Sequence, residues 1–197
     1  MASSGTFTVP PNITHVMVEM WGGGGGGGGS ANVDAGSGGA GAYTRDVVSV
    51  TSGAVYNVIV GAGGAAGSIA NSGYGGNGGD SQFATTFASG GQGGTPCVSL
   101  GSSGYCNEYP TSAGGNANPN AMISHPGGSS YGTFGGVPWN PPFAYFLANM
   151  SIPTFGVNYA VNTASGLGIG FGGGGARTGP PTYSAIPGLP GYVLLTW

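Results

Sequence analysis

With 197 residues, the chain is long enough for one domain with a buried core, and we treat residues 1–197 as a single domain. Its 47 glycines and 14 prolines exceed the level that usually suggests low complexity or disorder. However, 8 Phe, 10 Tyr and 3 Trp and a mean hydropathy of +0.12 argue against disorder. The chain has two basic and five acidic residues, which excludes sequence-independent binding to nucleic-acid phosphates and attraction to anionic membranes.

Hydrophobic alternation predicts β-strands along the chain. Residues 13–21 alternate so that Val16, Val18 and Met20 share one face. The other predicted strands are residues 6–9, 42–50, 55–60, 81–83, 87–89 and 192–197. Thr51-Ser52-Gly53 predicts a hairpin turn between two of them. Glycine or proline interrupts almost every helical window, and only residues 143–150 suit either two helical turns or a loop.

Glycine tracts separate the strands. They lie at residues 22–29, 36–41, 61–67, 73–79, 90–94 and 172–175. Extended glycine adopts the polyproline-II (PPII) conformation, with three residues per turn and a rise of roughly 3.1 Å per residue. Tracts packed side by side can exchange backbone hydrogen bonds; the alternative is a set of long flexible loops over a β core. We expect an all-β sandwich or jelly-roll-like fold with PPII-like glycine segments and almost no helix.

Several motifs resemble one known family in order along the chain. Phe7-Thr-Val-Pro10 and Val16-Met-Val-Glu-Met-Trp21, followed by the glycine run, resemble the opening of the glycine-rich domain of bacteriophage tail-fibre and adhesin proteins. Residues 41–64 and 78–94 fit the same pattern, and so does the ending Gly188-Leu-Pro-Gly191-Tyr-Val-Leu-Leu-Thr-Trp197. The resemblance covers residues 5–95 and 166–197, and it implies a β-rich domain with packed glycine segments that is presented on a virion.

Two departures from the family pattern shape the expected function. Residues 96–165 match poorly and form a loop-rich aromatic insert, and no separate attachment module precedes the domain. The resemblance therefore implies a small virion subunit: a capsid decoration, head-fibre or tail-adhesin protein that stabilises the particle or attaches it to the host. Expected partners are other virion proteins, further copies of the chain and a host surface glycan or protein. The protein would be assembled in the host cytoplasm and exposed on the virion.

The insert supplies the candidate contact surface, because Tyr and Trp give rigid contact area and aromatic planes suit sugar rings. The candidates are Tyr131, Phe134, Trp139, Phe143, Tyr145, Phe146, Phe155 and Tyr159. The alternative is that they form a second small core or a subunit interface. Cys97 and Cys106 are either a disulfide that closes a loop in an extracellular protein or two free thiols in the cytosol.

No catalytic, cofactor or metal site is expected. Residues 58–67 imitate a dinucleotide-binding turn, with Asp80 about twenty residues further on. The glycines that follow cannot form the required helix, so we expect Asp80 to bond turn backbone instead. His15 and His125 lack catalytic partners, and neither a secretory signal nor an apolar run of 18 residues is present. The alternative function is a non-viral cell-surface or ice-binding protein.

Overall fold

The structure is a computed structural model that describes residues 1–30, 35–68, 73–96, 112–130, 177–178 and 184–197. Every regular element in these residues is a β-strand. The strands are β1 (Gly5–Thr8), β2 (His15–Trp21), β3 (Tyr43–Ser49), β4 (Val55–Ile59), β5 (Ser81–Phe83), β6 (Thr86–Ala88), β7 (Ile123–His125), β8 (Arg177–Thr178), β9 (Ser184–Ala185) and β10 (Tyr192–Thr196).

Two antiparallel four-stranded sheets enclose the core. The first sheet has the strand order β1-β4-β5-β6, and the second sheet has the order β10-β2-β3-β7. Val16, Val18 and Met20 of β2 are all 0% exposed and belong to one cluster with Val58 and Phe83 of the first sheet. The alternation in β2 therefore locates the core, and the predicted all-β sandwich is confirmed.

The predicted hairpin at residues 51–53 is wrong. β3 pairs with β2 and β7 in the second sheet, whereas β4 pairs with β1 and β5 in the first sheet. A turn does form, because the Ala54 N–H donates to the Thr51 carbonyl at 3.0 Å and Gly53 has a φ of +76°. It carries the chain from one sheet to the other. A turn motif specifies a change of direction, but burial of one face of each strand on opposite sides of the core decides the pairing.

The sequence reasoning also missed β7. This strand extends the second sheet through the pairs Tyr43↔His125 and Arg45↔Ile123. It lies within residues 96–165, which were predicted as a loop-rich insert. Three residues between Asn- and Gly-rich stretches are too few for a two-residue period to be recognised.

Beyond the sheets, eight extended segments of the described chain form what we call the glycine bundle. They are residues 22–30, 35–42, 61–68, 73–80, 89–96, 112–118, 126–130 and 186–191. The central segment, residues 22–29, donates its backbone N–H groups to three neighbours in turn. Gly22, Gly25 and Gly28 donate to residues 36–42, at 2.8 to 3.0 Å. The residues that follow each of them donate to residues 73–79, and Gly24 and Gly27 donate to residues 186–189.

This three-residue period is that of the PPII helix, and the packing needs glycine. A Cβ atom added at Gly25 would lie 2.0 Å from the carbonyl oxygen of Gln92, and one at Gly26 would lie 2.0 Å from that of Ala65. No side chain fits at such distances. The described tracts are therefore ordered and packed, and the alternative of flexible loops is wrong for them; residues 172–175 lie outside the described part.

Candidate functional site: the far end of the glycine bundle

The described ends of several bundle segments lie together at one end, opposite the sheets. The chain leaves β2 along the central segment, and residues 35–42 bring it back to β3. Near the turn, the Gly28 N–H donates to the Gly36 carbonyl at 2.8 Å and the Gly29 N–H donates to the Gly73 carbonyl at 2.9 Å. We call this region, where the described segments end, the far end; its end residues are Ser30, Ala35, Ser68, Gly73, Pro96, Ser112, Ser130 and Ile186.

Four stretches that lie outside the described residues begin at the far end. The stretches 31–34, 69–72 and 97–111 each connect two segments whose described ends meet there, and a fourth stretch begins after Ser130. Within the described part of the bundle, the far end is thus a place where several connecting stretches begin.

A reciprocal serine pair closes one side of the far end. The Ser112 N–H donates to Ser130 Oγ at 2.8 Å, and the Ser130 N–H donates to the Ser112 carbonyl at 2.9 Å. Ser112 Oγ also donates to the Gly93 carbonyl at 2.9 Å. Both serines are 2% exposed. These bonds hold three segments together where the described segment 126–130 ends.

Asp80 and Asn77 act as acceptors for a neighbouring segment. Asp80 Oδ1 accepts from the Gly90 N–H at 2.8 Å, and Asn77 Oδ1 accepts from the Gly93 N–H at 2.9 Å. The prediction that Asp80 bonds backbone is confirmed, although its partner lies ten residues away and not in its own turn. Asn77 and Asp80 are three residues apart, which is one turn of the PPII helix. Both side chains therefore lie along the same edge of the bundle.

The motif that imitates a dinucleotide-binding turn is part of the bundle. Its Gly64 and Gly67 N–H groups donate to the carbonyls of Gly24 and Gly27, both at 2.8 Å. Residues 61–68 are extended, and no helix follows in the described part of the chain. A phosphate needs free N–H groups at a helix N-terminus, and here these groups are used within the bundle.

Ser81 joins the bundle to the sheets, a role that the sequence did not reveal. Its Oγ accepts from the Gly61 N–H at 2.9 Å and donates to the Trp21 carbonyl at 2.6 Å. Ser81 is 0% exposed. One hydroxyl therefore satisfies two backbone groups where two strands change into glycine segments, and a serine beside an aspartate in a turn-like string carries no signal of this.

The sequence here belongs to a recognised group. The family described as a glycine-rich domain matches residues 2–191. The chain belongs to this family. The match spans the first sheet, three strands of the second sheet and the described bundle, and it ends just before β10. No curated protein matches the chain. Family membership therefore rests on the same residues that build the packed glycine segments.

The outer face of the second sheet of this glycine-rich domain carries a row of rings. Trp21 lies between Tyr43 and Tyr192, with ring centroids 4.9 and 6.3 Å away, and His125 stacks on Tyr43 at 6.4 Å. Trp21 and Tyr43 are buried, at 7% and 1% exposed. Tyr43 Oη donates to Glu19 Oε2 at 2.7 Å. Burial raises the pKa of Tyr43, and the hydrogen bond and charge of Glu19 raise it further.

The remaining predicted residues divide into two groups. His15 is exposed, with Nδ1 3.0 Å from Thr14 Oγ1. The aromatic candidates Tyr131, Phe134, Trp139, Phe143, Tyr145, Phe146, Phe155 and Tyr159, together with Cys97 and Cys106, lie outside the described residues. Within the described ranges of the glycine-rich domain, no group of three or more His, Cys, Asp and Glu side chains is placed to hold a metal ion. The same part of the chain contains no helix with the length and apolarity to cross a membrane.

Proposed function

We propose that this glycine-rich domain is a bacteriophage virion structural protein without enzymatic activity. It acts as a small capsid decoration, head-fibre or tail-adhesin subunit, assembles with other virion proteins and further copies of itself, and stabilises the particle or attaches it to the host. The observation that carries the proposal is the far end of the bundle, where hydrogen bonds hold together the described ends from which four further stretches of the chain begin. Binding regions are commonly connecting stretches on a rigid scaffold.

The bundle suits the scaffold role because its backbone groups bond one another. Neighbouring segments are linked by N–H···O bonds of 2.7 to 3.0 Å along the length of the bundle. A hydrogen-bonded lattice of this kind resists bending at the far end, so a partner bound there needs less ordering of the scaffold. The described glycines pack against neighbouring backbone within the bundle. The connecting stretches therefore make the contacts with a partner.

The chemistry of the partner follows from the scarcity of charge. With two basic and five acidic residues in the whole chain, contacts must come from aromatic planes and neutral hydrogen bonds. Tyr131 follows directly on Ser130 at the far end, and Phe134 comes three residues later. We therefore retain the aromatic residues between 131 and 159 as contact candidates, with a host surface glycan or protein as the partner.

The first experiment tests the virion assignment. Antibodies raised against the purified protein should label gradient-purified particles in immunogold images and mark one defined position, head or tail. The protein should also co-sediment with intact particles after stringent washing. Its absence from particles would refute the proposal, and recovery in the envelope of uninfected cells would favour the cell-surface alternative.

The second experiment tests attachment through the far end. The purified protein should compete with phage for adsorption to host cells, and the double variant Tyr131→Ala, Phe134→Ala should need at least tenfold more protein for half-inhibition. Val55→Ala is the matched control, since Val55 is 62% exposed on β4 in the first sheet, away from the bundle turns. Equal competition by all three proteins would place the contact elsewhere. No competition by any of them would leave only the particle-stabilising role.

A further inference from the structure

One side of the bundle consists of two neighbouring antiparallel segments, residues 73–80 and 89–96, which we call the outer edge. The N–H groups of Gly75 and Gly78 link them by donating to carbonyls of residues 89–96, at 2.8 and 2.9 Å. Every third residue of the first segment, starting with Tyr74, is exposed. This side of the bundle therefore faces solvent.

The N–H groups of residues 89–96 point in three directions, as the three-residue period of the PPII helix requires. Gly91 and Gly94 donate to carbonyls of the central segment, at 2.9 and 2.7 Å. Gln92 donates at 3.0 Å to a carbonyl of residues 112–118. The remaining direction, which one residue in every three takes, is that of the outer edge.

Side-chain oxygens of the neighbouring segment accept the N–H groups that point in this third direction. Asp80 Oδ1 accepts from Gly90 at 2.8 Å, and Asn77 Oδ1 accepts from Gly93 at 2.9 Å. Elsewhere in the bundle, the acceptor at such a position is the carbonyl of another PPII segment. The two side chains at the outer edge therefore take the place of the carbonyls of a further segment.

The same register reaches one more pair of positions. Because the two segments are antiparallel, three residues back from Asn77 correspond to three residues on from Gly93, which places Tyr74 opposite Pro96. Tyr74 carries no short acceptor and is 73% exposed. Pro96 has no backbone N–H that would need one. The sequence thus provides an acceptor where an N–H points outward, and it has proline where the acceptor is lacking.

An edge whose backbone groups have no partner in their own chain is a template for pairing with another chain, as exposed β-strands show. We propose that Asn77, Asp80 and Pro96 close the outer edge against a second copy of the chain. When the side-chain acceptors are removed, the same edge of a second copy faces this one in a two-fold arrangement. Carbonyls of its residues 73–80 then replace the side-chain oxygens, since both edges have the same three-residue spacing.

The proposal goes beyond the proposed function and does not depend on it. It concerns one side of the bundle, whereas the proposed contacts with a partner lie at the far end. Copies of the chain that assemble in a particle then meet through a surface other than the outer edge. Failure of either proposal leaves the other unaffected.

The deciding experiment removes both acceptors from the full chain with the double variant Asn77→Gly, Asp80→Gly. Sedimentation velocity should show that the variant associates with rising concentration, beyond the state that the wild type keeps. In dilute variant, the Gly90 and Gly93 amides should exchange with deuterium at least tenfold faster than in the wild type, and they should slow again on concentration. Fast exchange at every concentration would mean that water replaces the side chains, which overturns the proposal. Association that leaves these amides unprotected would place the contact elsewhere and overturns it equally.

The matched control swaps the two residues, as Asn77→Asp, Asp80→Asn, and so keeps both acceptors and the amino-acid composition. It should keep the oligomeric state of the wild type and slow exchange at Gly90 and Gly93. Association of this control would show that the acceptors do not close the edge. If the glycine double variant does not fold, Asn77→Gly alone retains the bond of Asp80 to Gly90. The Gly93 amide of this single variant should again be protected only on concentration, and fast exchange at every concentration would contradict the proposal.

Discussion

Gly26→Ala tests whether the bundle is rigid and close-packed. The added Cβ would lie 2.0 Å from the Ala65 carbonyl oxygen, 2.6 Å from its carbon and 2.8 Å from the Gly64 carbonyl oxygen. Real Cβ atoms essentially never lie within 3.0 Å of such an atom, so the Ala65 carbonyl oxygen, at 2.0 Å, must retreat by about an ångström or more. Gly64 and Ala65 make three backbone hydrogen bonds that such a shift breaks: Gly64 to Gly24, Gly76 to Ala65 and Gly188 to Gly64.

The magnitude follows from those bonds. Each contributes about 0.5–1.5 kcal/mol net, so three contribute about 3 kcal/mol. The lower entropy of the unfolded chain with alanine offsets about 0.4–1 kcal/mol. We therefore expect Gly26→Ala to lower the free energy of unfolding by about 2–3 kcal/mol, a large part of the roughly 5–15 kcal/mol that is typical of a domain.

Urea unfolding followed by tryptophan fluorescence measures this change, because Trp21 is 7% exposed at the junction of bundle and sheet. The midpoint should fall while the slope with denaturant stays constant. Gly5→Ala carries the same chemical change into a strand where only a flexible methionine methyl is near, and it should change the free energy of unfolding by less than about 0.5 kcal/mol. If the two variants are equally stable, the bundle yields easily and the close-packing argument is refuted.

Three further predictions concern side chains. Ser81→Ala should lower the free energy of unfolding by about 2–4 kcal/mol, because it leaves two backbone groups unsatisfied; calorimetry checks this, and an unchanged melting temperature would contradict the junction role. Asp80→Ala should lower the free energy of unfolding in urea by about 1 kcal/mol, because the hydrogen bond from the Gly90 N–H to Asp80 Oδ1 is lost. Asp80→Asn keeps an acceptor and should lower it by less. Equal decreases for the two variants would argue against a contribution from this hydrogen bond. The neutral Tyr43 hydroxyl is favoured in the folded state, since burial raises its pKa above 10.0, so its contribution is complete below pH 10 and is lost as the pH rises further. The free energy of unfolding, measured between pH 8 and pH 11, should fall with rising pH in the wild type and should fall less in Tyr43→Phe. An equal fall in both proteins would mean that Tyr43 ionises alike in the folded and unfolded states, which would contradict the prediction.

The sequence predicts the sandwich because side-chain alternation reports burial directly. Val16, Val18 and Met20 lie in the core as their spacing indicates. Side-chain alternation does not predict which strands pair with each other. The strands on either side of residues 51–53 belong to different sheets, although a turn connects them. The junction role of Ser81 was equally hidden, because it depends on backbone groups twenty and sixty residues away. Local patterns record which face is buried, and they do not record the partner that buries it.

The far end could be predicted only in part. The tracts and their PPII conformation follow from glycine content, but glycine has no side chain with which to specify a neighbour. The partners of the central segment are set by backbone direction and by strand connections on both sheets. The aromatic candidates between residues 131 and 159 follow this end in sequence, and their role remains a prediction for the adsorption experiment to test.

The glycine spacing itself encodes the position of each segment in the bundle. Residues 74–80 read Tyr-Gly-Gly-Asn-Gly-Gly-Asp, and the three residues with side chains are exposed while the paired glycines face neighbouring backbone. Residues 89–95 repeat the pattern with Ser, Gln and Thr at every third position. In a peripheral segment, one residue in every three faces away from the bundle, and that residue carries a side chain. The central segment has no such interruption over eight residues, and five described segments surround it. An unbroken glycine run therefore marks the centre of the bundle, and a run broken at every third residue marks its edge.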